Sequence, residues 1–258
     1  MARSAVGTFR ALHHGRAADD PLVLPGPWDA ASARAFADAG FPALATPSAG
    51  VAASLGYADG EVAAGEMFAA VARIARAVDV PVSADVEAGY GLAPRELVER
   101  LLDAGAVGCN LEDGDAATGG PRDAHRHADW LAEVCAAAGG ELFVNARVDT
   151  YLYAGGADPA ADAAARIRLY AAAGADCVYP IRAPEAHLPL LRAASDLPFL
   201  PLNVLAAPPG PTGPDLAALG RLGATRITFG GGLQHLALKA VDALAGALAG
   251  LRSRRPDL

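Results

Sequence analysis

The sequence predicts an α/β fold built as a single (β/α)8 TIM barrel. Eight short apolar runs alternate with Ala- and Leu-rich stretches of helical composition, all within 258 residues. Eight strand–helix units in about 250 residues is the typical size of such a barrel. A doubly wound open sheet is the alternative, but the number of repeats favours a closed one. The predicted strands are 22–24, 43–46, 80–84, 107–111, 142–146, 177–179, 199–202 and 226–229.

Helices are predicted in the stretches between these strands. The junctions that lead from a helix to the next strand repeat an Ala-Gly or Leu-Gly pair, as at Gly105 and Gly174, and glycine there suits a helix C-cap. No linker rich in Gly, Ser or Pro divides the chain, so we expect one domain over residues 1–258, with short flexible tails at both ends. The predicted helices are 30–38, 61–78, 94–103, 124–137, 159–172, 184–194, 214–221 and 233–251.

Composition and charge exclude several classes of protein. The chain is 53% hydrophobic with a formal net charge of −8, and its basic run at 252–255 is short and terminal. A nucleic-acid-binding protein usually has a basic face, so no nucleic-acid partner is expected. Neither a signal peptide nor an apolar stretch long enough to span a bilayer is evident. We therefore expect a cytoplasmic protein without membrane contact.

The chain has few cysteines and one lysine, which limits the catalytic mechanisms open to it. Cys109, Cys135 and Cys177 are widely spaced, form no CxxC pair and are interpreted as small buried apolar residues. Lys239 is the only lysine and falls inside the last predicted helix. Schiff-base and pyridoxal-phosphate enzymes need a lysine in the site, so neither chemistry is expected.

Polar side chains gather at the carboxyl ends of the predicted strands, where barrels place their active sites. Asp85 and Glu87 follow the third strand two residues apart, so on an extended backbone they point to the same side. Glu112 ends the next strand. Carboxylates held together repel, and a divalent cation removes that repulsion. Carboxylate and water ligands suit Mg2+, with Mn2+ as a substitute, whereas zinc would require His or Cys ligands.

Other candidates allow two interpretations each. Asn145 and Arg147 share one face of the fifth strand, and Arg147 is either a charge for a developing anion or a structural ion pair with nearby acids. Gly231 lies in the glycine run 230–232, which would cradle a phosphate or carboxylate or form a plain turn. His235 is either the start of the last helix or a proton donor. An alternative interpretation of Asp85 and Glu87 is that they only cap the following turn.

Five motifs resemble those of the phosphoenolpyruvate mutase/isocitrate lyase superfamily in combination and in order. The resemblance extends from about Phe9 to the last helix, which is nearly the whole chain. The motifs are Trp28-Asp29-Ala30-Ala31-Ser32, Ser54-Leu55-Gly56-Tyr57 with Asp59, Asp85-Val86-Glu87-Ala88-Gly89-Tyr90-Gly91, Leu111-Glu112-Asp113 and Asn145-Ala146-Arg147.

The resemblance implies a barrel enzyme that binds Mg2+ through Asp85, Glu87 and Glu112, largely via water, with Asp59 nearby. It implies a small 2-oxo or 2-hydroxy acid as the substrate. Reactions in this superfamily break or make a C–C or P–C bond next to a carbonyl, and the C–C lyases pass through an enolate of pyruvate. It also implies a homo-oligomer, commonly a tetramer, in which the last helix is swapped between subunits.

The resemblance also implies roles for residues around the substrate. The segment Pro47-Ser48-Ala49 is expected to hold the substrate carboxylate, and Arg147 to bind the substrate and stabilise negative charge. Trp28, Asp29, Asn145 and Gly231 are the further expected substrate-binding residues. The candidates for proton transfer are Tyr90, His235, Tyr179 and a water on the metal.

The stretch 114–127 departs from the superfamily pattern. The lyases carry a Lys-Lys-Cys-Gly or Lys-Arg-Cys-Gly gating motif there and the phosphonate enzymes a Lys-Thr-Asn segment, but this stretch has neither Lys nor Cys. Three functions therefore remain open. The first is a Mg2+-dependent carbon–carbon lyase acting on a small 2-hydroxy or 2-oxo carboxylate. The others are a phosphonomutase or phosphonopyruvate hydrolase, and a non-catalytic barrel that binds a metabolite.

Overall fold

Parallel strands close into a barrel in the computed structural model, which describes residues 4–115, 118–153, 158–194, 197, 200–210 and 213–252. The barrel strands are β1 Leu22–Val23, β2 Leu44–Ala45, β3 Val82–Asp85, β4 Gly108–Glu112, β7 Phe143–Val148, β8 Cys177–Pro180, β9 Asn203–Leu205 and β10 Arg226–Thr228. A short antiparallel hairpin, β5 Gly114–Asp115 with β6 Gly120–Pro121, follows β4.

The barrel closes through two links between its sheets. One sheet has the order β2-β3-β4-β7-β8 and the other the order β1-β10-β9. A parallel bridge between Val178 and Leu202 joins β8 to the approach of β9. On the other side the amide of Ala45 donates to the carbonyl of Pro25, 3.1 Å away, which joins β2 to the end of β1. The predicted (β/α)8 fold is confirmed.

The seventh predicted strand was misplaced along the chain. The prediction covered 199–202, whereas β9 spans Asn203–Leu205. Pro201 has no amide hydrogen, so it cannot donate a backbone hydrogen bond to a neighbouring strand. Phe199 of the predicted strand lies outside the described residues, as do residues 1–3 and 253–258, where the two ends of the chain were predicted to form short flexible tails.

Helices surround the barrel, and most begin and end near their predicted bounds. Three of them, α2, α5 and α7, match the prediction at both ends. Two helices were missed, α1 before the first strand and α3 directly after β2. The helices are α1 Ala5–Leu12, α2 Ala30–Asp38, α3 Ser48–Leu55, α4 Ala64–Ala75, α5 Pro94–Asp103, α6 Ala124–Ala138, α7 Pro159–Ala172, α8 Leu188–Arg192, α9 Leu216–Arg221 and α10 Gly232–Arg252.

The outward and inward faces of the barrel strands carry different kinds of side chain. The outward faces carry aliphatic residues such as Val144 and Leu111, which are buried against the helices. The ring of Phe9 from α1 is fully buried in a small cluster with Leu22 and Phe143 at the amino end of the barrel. The inward positions above this cluster are mostly small or polar, which leaves room for a site. They include Ser83, Asn110, Asn145, Asn203 and Arg226, all of them buried.

Helix α10 presents a row of exposed apolar side chains to solvent in the single chain. Leu244 and Leu248 are 65% and 63% exposed, and Val241 and Leu251 are similarly open. Within the described residues no helix, α10 included, is both long and apolar enough to cross a membrane. Such a surface on a long helix suits contact with a second copy of the chain.

Candidate active site

A cavity of about 240 Å3 opens at the carboxyl ends of the barrel strands. Its polar lining includes Ser48, Asp85, Arg147, Tyr179 and Arg182. Three aliphatic side chains, Leu152, Ile181 and Leu205, line the same cavity.

Asp85 is fixed between the end of β3 and the start of α3. Its Oδ2 atom accepts hydrogen bonds from the amide and hydroxyl of Ser48, at 3.2 and 2.9 Å. Its own amide donates to Oγ1 of Thr46 at 3.1 Å. Helix α3 begins after Pro47. The first-turn amides of a helix have no intrahelical acceptor and favour a negative charge. Asp85 therefore lies against the positive end of a helix.

Glu87 lies in the sharp turn that follows β3. Its backbone has a positive φ of 52°, and Tyr90 in the same turn has a φ of 55°. The Tyr90 hydroxyl donates to Oε1 of Glu87 at 3.3 Å. Burial, and secondarily the negative charges of Asp85 and Asp59, raise the pKa of Glu87 to about 7. The carboxyl group therefore lies where a cation would be stabilised.

Arg147 is held by two carboxylates. Its guanidinium contacts Oε2 of Glu112 at 2.6 Å and makes a bidentate pair with Asp149 at 2.6 and 3.0 Å. Burial disfavours the Arg147 charge, but Asp149, Glu112 and Asp85 outweigh it and raise its pKa. Burial also raises the pKa of Glu112. The positive charge of Arg147 opposes this rise, and the negative charge of Asp85 adds to it. Arg147 is thus a fixed cation whose charge is largely neutralised.

Asp113 supports this arrangement from behind the strand, a role that the sequence did not reveal. It is fully buried. One carboxylate oxygen accepts from the amide of Asp149 at 2.8 Å, and the other from Arg166 at 2.9 Å and the Tyr170 hydroxyl at 2.5 Å. Because Asp149 holds Arg147, Asp113 fixes Arg147 indirectly. The only sequence signal was its place directly after Glu112, with the opposite strand parity.

Tyr179 brings a hydroxyl group to the cavity from the end of β8. Its side chain is 4% exposed and hydrogen-bonds Thr228. Burial raises the pKa of this phenol above its ordinary value. The group therefore stays protonated at neutral pH and can donate a proton or a hydrogen bond to a ligand.

The structure brings several predicted substrate-binding residues together. Pro47, Ser48, Ala49 and Gly231 all line the cavity alongside Arg147. Asn145 lies one layer lower in the barrel. Its amide donates to Oδ1 of Asn110 at 2.6 Å, and Asn110 itself lines the cavity.

Other predicted site residues do not line this cavity. Asp29 is the N-cap of α2, and its Oδ1 accepts from the amide of Ser32 at 2.7 Å. The carbonyl of Trp28 accepts from the Ser54 hydroxyl at 3.1 Å. His235 is exposed in the first turn of α10. The predicted roles of Trp28, Asp29 and His235 remain predictions, as does that of Tyr90, which contacts Glu87.

The donor set fits a cation that is reached largely through water. Among the described residues, no group of three His, Cys, Asp or Glu side chains is arranged to hold a metal ion directly. Burial raises the pKa of Glu87, Glu112 and Asp59, and the negative charge of Asp85 raises each of them further, so these carboxyl groups lie around one region. A hydrated divalent cation there would relieve their repulsion, and Mg2+ retains several of its waters in proteins.

The fold and the site together define a class of protein. It is a (β/α)8 barrel with a small cavity at the carboxyl ends of its strands, lined by acidic groups and a fixed arginine. The profile of the Phosphoenolpyruvate phosphomutase family matches residues 9–249, and the chain belongs to this family within the phosphoenolpyruvate mutase/isocitrate lyase superfamily.

Several proteins resemble the chain over most of its length. A "putative phosphonomutase from Burkholderia cenocepacia J2315" is 39% identical, with a TM-score of 0.83 and coverage of 94% of this chain and 98% of that one. A 2,3-dimethylmalate lyase is 27% identical, with a TM-score of 0.80 and coverage of 100% and 91%. An uncharacterized protein of Mycobacterium tuberculosis (strain ATCC 25618 / H37Rv) is 34% identical, with coverage of 86% and 81%. The superfamily thus includes both lyases and mutases.

Proposed function

We propose that this protein is a Mg2+-dependent carbon–carbon lyase. It would cleave or form a bond in a small 2-hydroxy or 2-oxo carboxylate through a pyruvate-type enolate. The observation that carries this proposal is that Leu152, Ile181 and Leu205 line the same cavity as Asp85 and Arg147. An alkyl fragment suits these side chains, whereas a phosphonyl dianion beside them would depend on the guanidinium of Arg182 to offset its lost hydration.

The start of α3 would bind the substrate carboxylate. Ser48 and Ala49 line the cavity at the first turn of this helix. The Ser48 amide already donates to Asp85, so the Ala49 amide and the helix dipole are what favour a substrate anion at this position. The Ser48 hydroxyl, which donates to Asp85, would keep the acid and the substrate carboxylate in a fixed relation.

Asp85, Glu87 and Glu112 would hold Mg2+ or Mn2+ largely through water, with Asp59 at the mouth. When bound, such a cation withdraws electron density from the C2 oxygen and the carboxylate of a chelating substrate. Arg147 supplies a positive charge that Glu112 and Asp149 keep in position before any substrate arrives. A preorganised charge of this kind stabilises the enolate without reorganisation.

Tyr179 would deliver the proton to the enolate carbon, since its hydroxyl belongs to a protonated phenol in the cavity wall. The Tyr179→Phe variant is expected to lower kcat by about 100-fold, because general acid catalysis typically contributes that much. Its KM should change by less than about threefold, because the ring still fills the same space. Steady-state kinetics on the identified substrate measure both values. An unchanged kcat would exclude Tyr179 as the proton donor.

The proposal is tested with a panel of small 2-hydroxy and 2-oxo mono- and dicarboxylates in the presence of Mg2+. Release of pyruvate or another 2-oxo acid, measured by proton NMR, is the expected result, and EDTA should abolish it. Binding of these acids without turnover would instead support a non-catalytic metabolite-binding barrel.

A phosphonomutase or phosphonopyruvate hydrolase is the second candidate. Two observations favour it: the likeness to the Burkholderia protein, and Gly230 and Gly231 at the cavity, where backbone amides can approach a phosphonyl group. Phosphorus NMR on phosphonopyruvate separates the two candidates. Rearrangement or phosphate release without cleavage of any carboxylate in the panel would overturn the lyase proposal.

Self-association through α10 is the expected assembly, with a tetramer that swaps this helix as the specific form. The double variant Leu244→Glu and Leu248→Glu places charges on its exposed apolar face, so we expect a monomer of 26.0 kDa in light scattering. Leu190→Glu on α8, where the leucine is 52% exposed, is the matched control and should keep the oligomer. A wild-type monomer would contradict this expectation.

A further inference from the structure

Arg226 is a fully buried cation in the interior of the barrel. It is the first residue of β10 and is 0% exposed. None of its three guanidinium nitrogens has a hydrogen-bond partner among the described residues. Its guanidinium lies over the ring of Phe9, 5.9 Å from the centroid. The side chain thus occupies the layer between the amino-end cluster around Phe9 and the cavity.

The position of Arg226 relates it to the candidate site. Thr228, two residues further along β10, lines the cavity, and residues two apart on a strand point to the same face. Two residues of strand span about 7 Å, so Arg226 lies roughly that far beneath the cavity wall. The charge of Asp85 acts on Arg226, and Arg226 in turn lowers the pKa of Tyr179. Arg226 is therefore within electrostatic range of the site.

An unpaired buried charge of this kind is costly. Burial lowers the pKa of Arg226, which expresses the cost of desolvating its charge. An apolar side chain of similar volume would pack at this position without that penalty. Local violations of the packing rules are expected mainly at functional sites.

An added positive charge beneath the cavity would favour an anionic substrate. Such a substrate would meet Asp85 and Asp59 among the cavity residues, and of the two arginines in the lining Arg147 is already shared by Glu112 and Asp149, which leaves Arg182. We propose that Arg226 is a positioning residue whose buried positive charge holds the anionic substrate in the cavity from below. This inference rests on the proposed function, because it assumes a carboxylate substrate.

The test compares Arg226→Met with the wild type by calorimetry, using Mn2+ alone and then oxalate at saturating Mn2+. A unit charge acting over about 10 Å inside a protein changes a binding constant roughly tenfold. Loss of this positive charge should therefore weaken oxalate binding about tenfold and tighten Mn2+ binding. Arg226→Lys should restore both values towards the wild type. A residue that only fills space would not move the two ligands in opposite directions.

Stability and a surface control complete the test. Arg226→Met should unfold at the same temperature as the wild type or a higher one, since the buried charge is gone. Arg226→Gln is a second neutral variant for the same binding measurements. Arg73→Met on the exposed face of α4 changes the net charge equally and should leave both constants unchanged.

The outcomes separate the inference from the proposed function. If the wild type binds oxalate and Mn2+, but both neutral variants bind oxalate as tightly as it does, the inference fails and the proposed function stands. Both variants unfolding at lower temperature without the opposite shifts would show a structural role, and would also overturn the inference. If the wild type binds neither probe, the proposed function and the inference fail together.

Discussion

The Asp85→Ala variant is expected to lose about 1,000-fold or more in kcat/KM, because it removes the carboxylate that faces both the cation and the substrate. Asp85 lines the cavity and also accepts two hydrogen bonds from Ser48, so its loss affects the carboxylate-binding end of α3 as well. The fold should be retained, because Asp85 makes no buried ion pair among the described residues. Kinetics with and without EDTA, together with circular dichroism, measure these effects.

Asp38→Ala is the matched control for this variant. Asp38 is exposed at the end of α2 and does not line the cavity. It should keep wild-type kcat/KM and the same response to EDTA. Full activity of Asp85→Ala in the presence of EDTA would contradict the proposed metal dependence.

The Asp113→Ala variant is expected to have the largest effect on stability. It leaves the buried Arg166 guanidinium without its main partner and removes the acceptor of the Asp149 amide and the Tyr170 hydroxyl. Breaking a buried ion pair from one side typically costs about 3–5 kcal/mol of unfolding free energy. Chemical denaturation measures this loss. Activity should also fall, because Asp149 no longer holds Arg147 firmly.

A double variant tests whether the loss arises from the unpaired charge. Asp113→Ala combined with Arg166→Met removes both members of the pair, so it should regain much of the stability that Asp113→Ala alone loses. If the stability that the double variant loses relative to the wild type equals the sum of the two single losses, the two side chains act independently. The account of Asp113 as the buried anchor of this network would then be wrong.

The fold was predictable because the barrel repeats one unit. Apolar runs and glycine junctions recur along the chain, so individual errors did not change the architecture. The misplaced strand at 199–202 shows the limit, because periodicity does not register the missing amide of Pro201. Helix α3 was missed because Gly50 and the short length of the segment weaken a helical pattern.

The site was predictable only where side chains follow strand ends. Asp85, Glu112, Arg147 and the 47–49 segment lie at the cavity or pair with its residues, and parity placed their side chains. Asp113 was missed as an anchor because its partners Arg166 and Tyr170 come from α7, more than fifty residues away. Long-range contacts of this kind leave no local pattern in a single sequence.

The aliphatic lining of the cavity was missed for a different reason. Leu152, Ile181 and Leu205 look like ordinary core residues in the sequence, and only the closed barrel brings them into one cavity with Asp85. The same holds for Arg226, whose burial beneath the cavity becomes visible only once β10 is placed beside β9 and β1.

A crystal soaked with Mn2+ and oxalate tests the central claim most directly, because the anomalous signal of manganese locates the cation and oxalate mimics the enolate of pyruvate. We expect a manganese peak beside Asp85, with contacts through water to Glu87 and Glu112, and oxalate between the metal and the amide of Ala49. Manganese bound away from Asp85, or oxalate absent from the cavity at saturating concentration, would contradict the account.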